Sequence, residues 1–282
     1  MIPLNQILLV TDCDGTLLRN DKSISRKDLD AISRFVEAGA NFTIATGRSL
    51  PTSQSILAQL PLKYPIILYN GSMLYDPVEK KPLWMAEIPP AARFVVEKAM
   101  EHYGPDLGVE VLTPEALHVL QFTPVIDEHL NGKLKAEYRV ASYAEVQGMH
   151  WLKVMFALPA EQMDTFRAYL EGLGAEGIRY VRSEKLYFEI LPADASKGEA
   201  LKQLCSRTGF RLEHTVAIGD CDNDLEMLRE AGAGYVVANA YPAVRAQARR
   251  LTVSNEEGAV SAVIEEILTD SAQVFGTESV ES

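Results

Sequence analysis

Two aspartates, Asp12 and Asp14, stand one residue apart in the run Asp12-Cys13-Asp14-Gly15-Thr16, directly after the apolar stretch Ile7-Leu8-Leu9-Val10. Carboxylates at this spacing on a loop can converge on one cation. A hard ion such as Mg²⁺ takes oxygen ligands, commonly one or two carboxylates with water and phosphate. Gly15 permits a tight turn and close backbone approach. Asp, Gly and Thr also make ordinary solvated turns, so this run alone leaves both readings open. A second acidic run, Gly219-Asp220-Cys221-Asp222-Asn223-Asp224, follows another apolar stretch, Thr215-Val216-Ala217-Ile218. Its acids would repel one another at a strand end unless they shared a cation. An acidic helix N-terminus favoured by the helix dipole accounts equally well for Asp222. Ala45-Thr46-Gly47-Arg48 offers a small hydroxyl, a free N–H and a glycine, which suit a phosphate oxygen. Lys197, in Ala195-Ser196-Lys197-Gly198, is a lone cation at a helix start.

These segments need a scaffold that gathers strand ends. Apolar runs at 7–10, 41–45 and 66–69 read as buried strands, separated by helical spacing over 25–38 and 50–60. The alternation predicts a parallel sheet with right-handed crossovers, in which ligands sit beyond the carboxyl ends of the strands. The pattern resumes with helices over 195–207, 222–230 and 258–268 and strands over 215–218 and 235–238. Between the two stretches lie helices over 90–103 and 160–171 and adjacent strands near 109–112, 117–121, 151–158, 179–181 and 187–190. Paired strands with helices on one face predict an inserted second domain with an antiparallel sheet. The polar, acidic end from Thr269 onward has little periodicity.

Composition narrows the class. Of 282 residues 47% are hydrophobic and 23% charged, ordinary for a soluble globular chain. There is no bilayer-length apolar run and no secretory signal pattern, and the scattered Cys13, Cys205 and Cys221 form neither a disulfide framework nor a zinc spacing. The expectation is a cytoplasmic protein without membrane partners. A net charge of −12 argues against nucleic acid, and it means that an anionic substrate must be held by local cations.

Taken together and in this order, the four segments resemble the signature motifs of the haloacid dehalogenase superfamily. Asp12-x-Asp14-Gly15-Thr16 matches the first, Thr46 the second, Lys197 the third and Gly219-Asp220-x-x-Asn223-Asp224 the fourth. The long insert between the second and third resembles the α/β cap of the Cof-like type IIB branch. Tyr69-Asn70-Gly71-Ser72 is similar to that branch's asparagine–glycine segment. The resemblance implies an α/β fold with a Rossmann-like parallel core over 1–82 and 189–270 and an inserted α+β cap over 83–188, and it does not extend to the tail over 271–282, whose polar composition predicts disorder.

The resemblance also implies a chemistry: Mg²⁺-dependent hydrolysis of a small phosphorylated metabolite. Asp12 would be the nucleophile, forming an aspartyl-phosphate. Asp14 would protonate the leaving alkoxide and then deprotonate the attacking water. The metal would be held by the Asp12 carboxylate, the Asp14 backbone carbonyl and Asp220, with Asp224 orienting its waters. Thr46, the Gly47 backbone, Lys197, Asn223 and the Cys13 N–H would bind phosphoryl oxygens. Arg48 and Asn70 are the candidates for substrate or cap contact. His118 is a weaker one, set against a packed histidine. A phosphosugar mutase and a non-enzymatic phospho-acceptor are the rivals, and a general acid/base at Asp14 speaks against a lasting phospho-switch. The oligomeric state is left between a monomer and a small homo-oligomer. Cys13 and Cys221, in the two acidic loops, suggest oxidation sensitivity, against which stand nearby carboxylates that raise thiol pKa.

Overall fold

The computed structural model describes residues 2–134 and 136–276. Its strands in chain order are β1 (Leu8–Thr11), β2 (Asn41–Ile44), β3 (Ile66–Leu68), β4 (Met73–Asp76), β5 (Lys81–Met85), β6 (Gly108–Leu112), β7 (Leu117–Gln121), β8 (Arg139–Val140), β9 (Lys153–Ala157), β10 (Ile178–Glu184), β11 (Tyr187–Pro192), β12 (Thr215–Gly219), β13 (Ala233–Val237) and β14 (Arg250–Thr252). Contacts divide the chain into two compact units, the first comprising 1–47, 55–84 and 196–282 and the second 48–54 and 85–195. Among the described residues no helix is long and apolar enough to cross a membrane.

The first unit is built on a sheet of order β14-β13-β12-β1-β2, parallel throughout. Every residue of β1, β2 and β12 is buried, as a parallel sheet covered on both faces requires. Helix Arg26–Glu37 begins at Ser25, whose hydroxyl accepts from Asp28 N at 3.0 Å. It buries Ala31, Ile32 and Phe35 and packs against helix Ala259–Thr269. Asp28 ties the two together by accepting from Ser261 N at 2.8 Å. β3 joins the sheet edge through an isolated parallel bridge, Ala45 to Ile67. It then turns back as a β3-β4-β5 sheet that hydrophobic periodicity did not anticipate.

The second unit carries a six-stranded sheet of order β10-β11-β9-β6-β7-β8, antiparallel except for the β7–β8 pair. Val109, Val111, Val154, Phe156, Phe188 and Ile190 pack with Val95, Val96, Phe166 and Leu170 of helices Phe94–Tyr103 and Met163–Gly172. Trp151 is part of this core. Its Nε1 donates to Val146 O at 2.7 Å, and Arg93 stacks over its ring. His118 is packed as well, beside Thr113 Oγ1 at 3.4 Å, and burial lowers its pKa. The unit extends past the expected limit of residue 188 because β11 pairs with both β9 and β10 through Pro192. A second departure is at the C-terminal end. Ser271–Phe275 is a helix, where disorder was expected from 271 onward. Asp270 caps it by accepting from Ala272 N and Gln273 N, and Val274 is buried. Residues 277–282 lie outside the described part of the chain.

Side-chain alternation along β6, β9 and β11 puts the core residues on one face and Glu110, Lys153, Met155 and Glu189 on the other. Lys153 pairs with Glu189 at 2.9 Å. Burial, offset partly by Lys153 and reinforced by Glu189, pushes the Glu110 carboxyl up to about 8. A folded-state value above the unfolded 4.5 means that Glu110's contribution is full below about 4.5 and lost as pH rises through about 8. Chemical denaturation across that window should show stability falling with pH, and Glu110→Gln should flatten the fall. An unchanged slope in the variant would assign the pH dependence elsewhere.

Candidate active site

The acidic loops meet because β1 and β12 are neighbours. β1 pairs with β12 in parallel through Thr11 and Ile218, and Asp12 N donates to Ile218 O at 2.9 Å. Asp12 and Asp220 therefore leave adjacent strands at the same end of the sheet. β2 lies on the other side of β1, with Ala45 N bonded to Thr11 O at 2.9 Å, so Thr46 emerges at that end too. Asn70 follows β3 and donates its N–H to Thr46 O at 3.1 Å.

Lys197 joins this group from the first turn of helix Lys197–Thr208. Ser196 caps that helix, accepting from Glu199 N at 3.0 Å. The Lys197 ammonium is fully buried and donates to Asp12 Oδ1 at 2.5 Å and to Asp224 Oδ1 at 2.6 Å. Burial opposes its charge, but Asp12 and Asp224 outweigh that and hold its pKa above the ordinary lysine value. Asp224 Oδ2 accepts from both Asp220 N and Cys221 N at 3.0 and 3.1 Å. Both Asp224 oxygens are thus engaged, and the side chain fixes the loop and the lysine together. Asp12 Oδ2, by contrast, is buried with no hydrogen-bond partner.

Asp12, Asp220 and Asp224 each present an oxygen within 4.8 Å of the others. Burial first, then Asp224 and Asp220, push the Asp12 carboxyl well above the carboxylate range despite Lys197. Burial and Asp224 push Asp220 up to about 7. Three buried acids thus face one buried ammonium. Thr16 Oγ1 donates to Asp220 Oδ1 at 3.2 Å, and Asn239 Nδ2 donates to Gly15 O at 2.7 Å, so both loops are braced. Close approach explains two glycines. A Cβ on Gly15 would lie 2.5 Å from Asp220 Oδ2, and one on Gly71, whose φ is +98°, 2.1 Å from Ser196 O.

The structure brings together Asp12, Lys197, Asp220 and Asp224 by direct bonds or proximity, with Cys13 buried within the Asp12–Asp14 loop. Asn223 Nδ2 donates to Asn70 Oδ1 at 2.9 Å, linking the fourth motif to the segment after β3. Thr46 is buried at the end of β2, and a Cβ on Gly47 would lie 2.6 Å from Asn70 Oδ1. Asp14 Oδ1 accepts from the half-exposed Lys22 at 2.9 Å, and its charge adds to the rise in the Asp220 pKa. Lys22 was missed from sequence, where it is one charge in a polar turn. Its φ of +67° and its ion pair with Asp14 are visible only in three dimensions. Arg48 belongs to the other unit and donates to Thr52 O at 3.2 Å. Burial, Asp220 and Asp224 push the Cys221 thiol up to about 12, which opposes formation of the thiolate that oxidation needs.

Residues 9–264 match the haloacid dehalogenase-like hydrolase family. A 5-amino-6-(5-phospho-D-ribitylamino)uracil phosphatase of Bacillus subtilis is 30% identical over 264 residues, spanning 92% of this chain and 96% of its own. An HMP-PP phosphatase of Serratia proteamaculans is 30% identical over 249 residues, spanning 87% of this chain and 89% of its own. Among solved structures, a Thermotoga maritima protein superposes with a TM-score of 0.82 at 27% identity, over 94% of this chain and 98% of that one. A sugar phosphatase of haloacid dehalogenase subclass IIB shares the fold, with a TM-score of 0.82 at 18% identity over 94% of this chain and all of its own. The buried Asp12–Lys197–Asp224 arrangement thus sits in a chain that belongs to the haloacid dehalogenase-like hydrolases and is a phosphatase.

Proposed function

We propose that this phosphatase removes the phosphoryl group of a small phosphorylated metabolite through an aspartyl-phosphate on Asp12, with Mg²⁺ as its cofactor. One observation carries the reading: a buried carboxylate with one oxygen on Lys197 and the other without a partner. The printed activities of the two relatives, one on a phosphoribitylamino-uracil and one on HMP-PP, support a small metabolite as substrate.

The donor set fits a hard divalent cation. Three buried carboxylates share one ammonium, and an oxygen of Asp12 is orphaned. Buried charge of this kind is unfavourable unless it is paired. Asp12 through Oδ2, Asp220 and the Asp14 backbone carbonyl would hold the ion. Asp224, both of whose oxygens are already bonded, would act through water. When bound, Mg²⁺ would offset phosphate charge and keep Asp12 ionised.

Asp12 forms the new bond to phosphorus as the ester oxygen departs with its electron pair. Asp14 gives that oxygen a proton, then takes one from the water that hydrolyses the aspartyl-phosphate. Asp14 is paired with Lys22 and would exchange that partner for the ester oxygen. Lys197 fixes Asp12 and balances charge on the phosphoryl oxygens. Thr46, the Gly47 and Cys13 backbone N–H groups and Asn223 supply neutral donors. These local groups oppose the repulsion set by a net charge of −12, which salt screens beyond about 8–10 Å.

Phosphate release from a panel of sugar and cofactor phosphates with Mg²⁺ tests the reading. Asp12→Asn should fall to background. Asp14→Asn should lose about 10²–10⁴-fold in kcat on alkyl phosphates, and less on p-nitrophenyl phosphate, whose leaving group needs little protonation. Wild-type turnover in Asp12→Asn, or isomerised product without free phosphate, would refute it. Lys197→Met should cost about 3–5 kcal/mol in denaturant titrations, because it strands two buried carboxylates. Added Mg²⁺ should recover part of that loss. A variant as stable as wild type would mean that the carboxylates are satisfied without the lysine.

A further inference from the structure

The turn over residues 18–24, just after the Asp12–Asp14 loop, is fixed along its length. Leu18 bridges Ile24 in antiparallel register, and Arg19 N donates to Ser23 O and Lys22 N to Arg19 O, both at 2.9 Å. Asp21 Oδ1 accepts from Ser23 N at 2.9 Å and from Ser23 Oγ at 2.6 Å. Asn255 and Glu256 hold the base. Asn255 Nδ2 donates to Leu18 O at 2.9 Å, and Glu256 accepts from Asn20 N at 2.7 Å and from the Arg19 guanidinium at 2.8 Å. All of these residues belong to the first unit.

Lys22 stands in this turn in a conformation that lysine disfavours. Its φ is +67°, in the left-handed region that glycine and asparagine enter more readily. Its ammonium donates to Asp14 Oδ1 at 2.9 Å, with the two side chains 58% and 38% exposed. An ion pair this exposed adds little to folding stability, so it does not offset the strained backbone. Strain of this kind gathers at functional sites, and here it delivers an ammonium to a motif acid. Asp14 also needs placing. Its charge reaches Asp220, whose carboxyl it helps to push up, so the two acids repel. A half-exposed carboxylate under repulsion can populate several staggered rotamers, and a partner on a fixed turn selects one. A bond worth little to folding suffices for that, because misplacing a reacting group by about 1 Å can cost about 10²-fold in rate.

We propose that Lys22 is a positioning residue, which holds the Asp14 carboxylate ready beside the acid cluster until Asp14 turns to the ester oxygen. The inference rests on the proton-transfer role proposed for Asp14, and it adds a group that lies outside the four motifs.

Phenyl phosphate and p-nitrophenyl phosphate, assayed on the full chain with Mg²⁺, differ in how much their leaving oxygen needs a proton. Their kcat/KM reads the step that expels that oxygen. Lys22→Met should lower kcat/KM about 10-fold on phenyl phosphate and no more than about 3-fold on p-nitrophenyl phosphate. Lys22→Arg should recover most of the loss. Lys22→Gly relieves the strained φ but lacks the ammonium. It should be as slow as Lys22→Met and no less stable than wild type in denaturant titrations. In an Asp14→Asn background, Lys22→Met should change kcat/KM by less than about 2-fold, because the group it places is already gone. Wild-type rates in Lys22→Met, equal losses on the two esters, full activity in Lys22→Gly, or a loss that adds to that of Asp14→Asn would each overturn the proposal. A slow Asp14→Asn beside an unaltered Lys22→Met removes this inference alone. A wild-type rate in Asp14→Asn removes the proton-transfer reading beneath it.

Discussion

An ammonium with no exposed surface, held at 2.5 Å from Asp12 and 2.6 Å from Asp224, sets the terms for the first unit. An isolated lysine at that depth would lose its proton, because desolvation penalises the charged form. Here two carboxylates hold it charged, and they can do so only if three chain segments far apart in sequence arrive together. The parallel pairing of β1 with β12 supplies two of them. The start of helix Lys197–Thr208 supplies the third. The glycines follow from the same demand. A Cβ on Gly71 would meet Ser196 O, one on Gly198 would meet Glu226 at 2.7 Å, and one on Gly219 would meet Asp224 at 2.5 Å. Each stands where a side chain would push the lysine away from its partners.

The same network divides the acids by what remains free on each. Asp224 spends one oxygen on Lys197 and the other on two backbone N–H groups, which makes it a brace. Asp12 spends only one, and its second oxygen is left without a hydrogen-bond partner. Asp14 pairs with Lys22 and has a partly exposed carboxylate. Three aspartates in two short runs thus differ in their bonding.

The motif residues were legible in sequence because strand ends in a parallel sheet are predictable from apolar runs, and the acids sit immediately after such runs. Lys197 was legible only through its resemblance to a family motif, since burial of a lysine leaves no local trace. The β3-β4-β5 sheet escaped because Ile66–Leu68 reads as another crossover strand, while Lys81–Met85 carries a lysine and a proline. The limit of the second unit was placed too early because Tyr187–Pro192 is apolar enough to pass for a core strand. Its antiparallel partners β9 and β10 decide the matter, and pairing is a nonlocal property. The helix Ser271–Phe275 was hidden by polar composition, yet one aspartate cap and one buried valine suffice to order it.

Glu110 was illegible for a different reason. In Gly108-Val109-Glu110-Val111-Leu112 an alternating glutamate reads as the solvated side of a half-buried strand. The structure buries that side as well, and it does so next to Lys153 and Glu189. Each unit thus buries acids close to a lysine. In the first unit the lysine bonds two acids and a third, Asp220, is braced by Thr16. In the second the lysine bonds Glu189, and the orphaned oxygen belongs to Glu110. In both places the fold retains a carboxylate oxygen that its own groups do not satisfy, at a cost in stability of about 1–3 kcal/mol each.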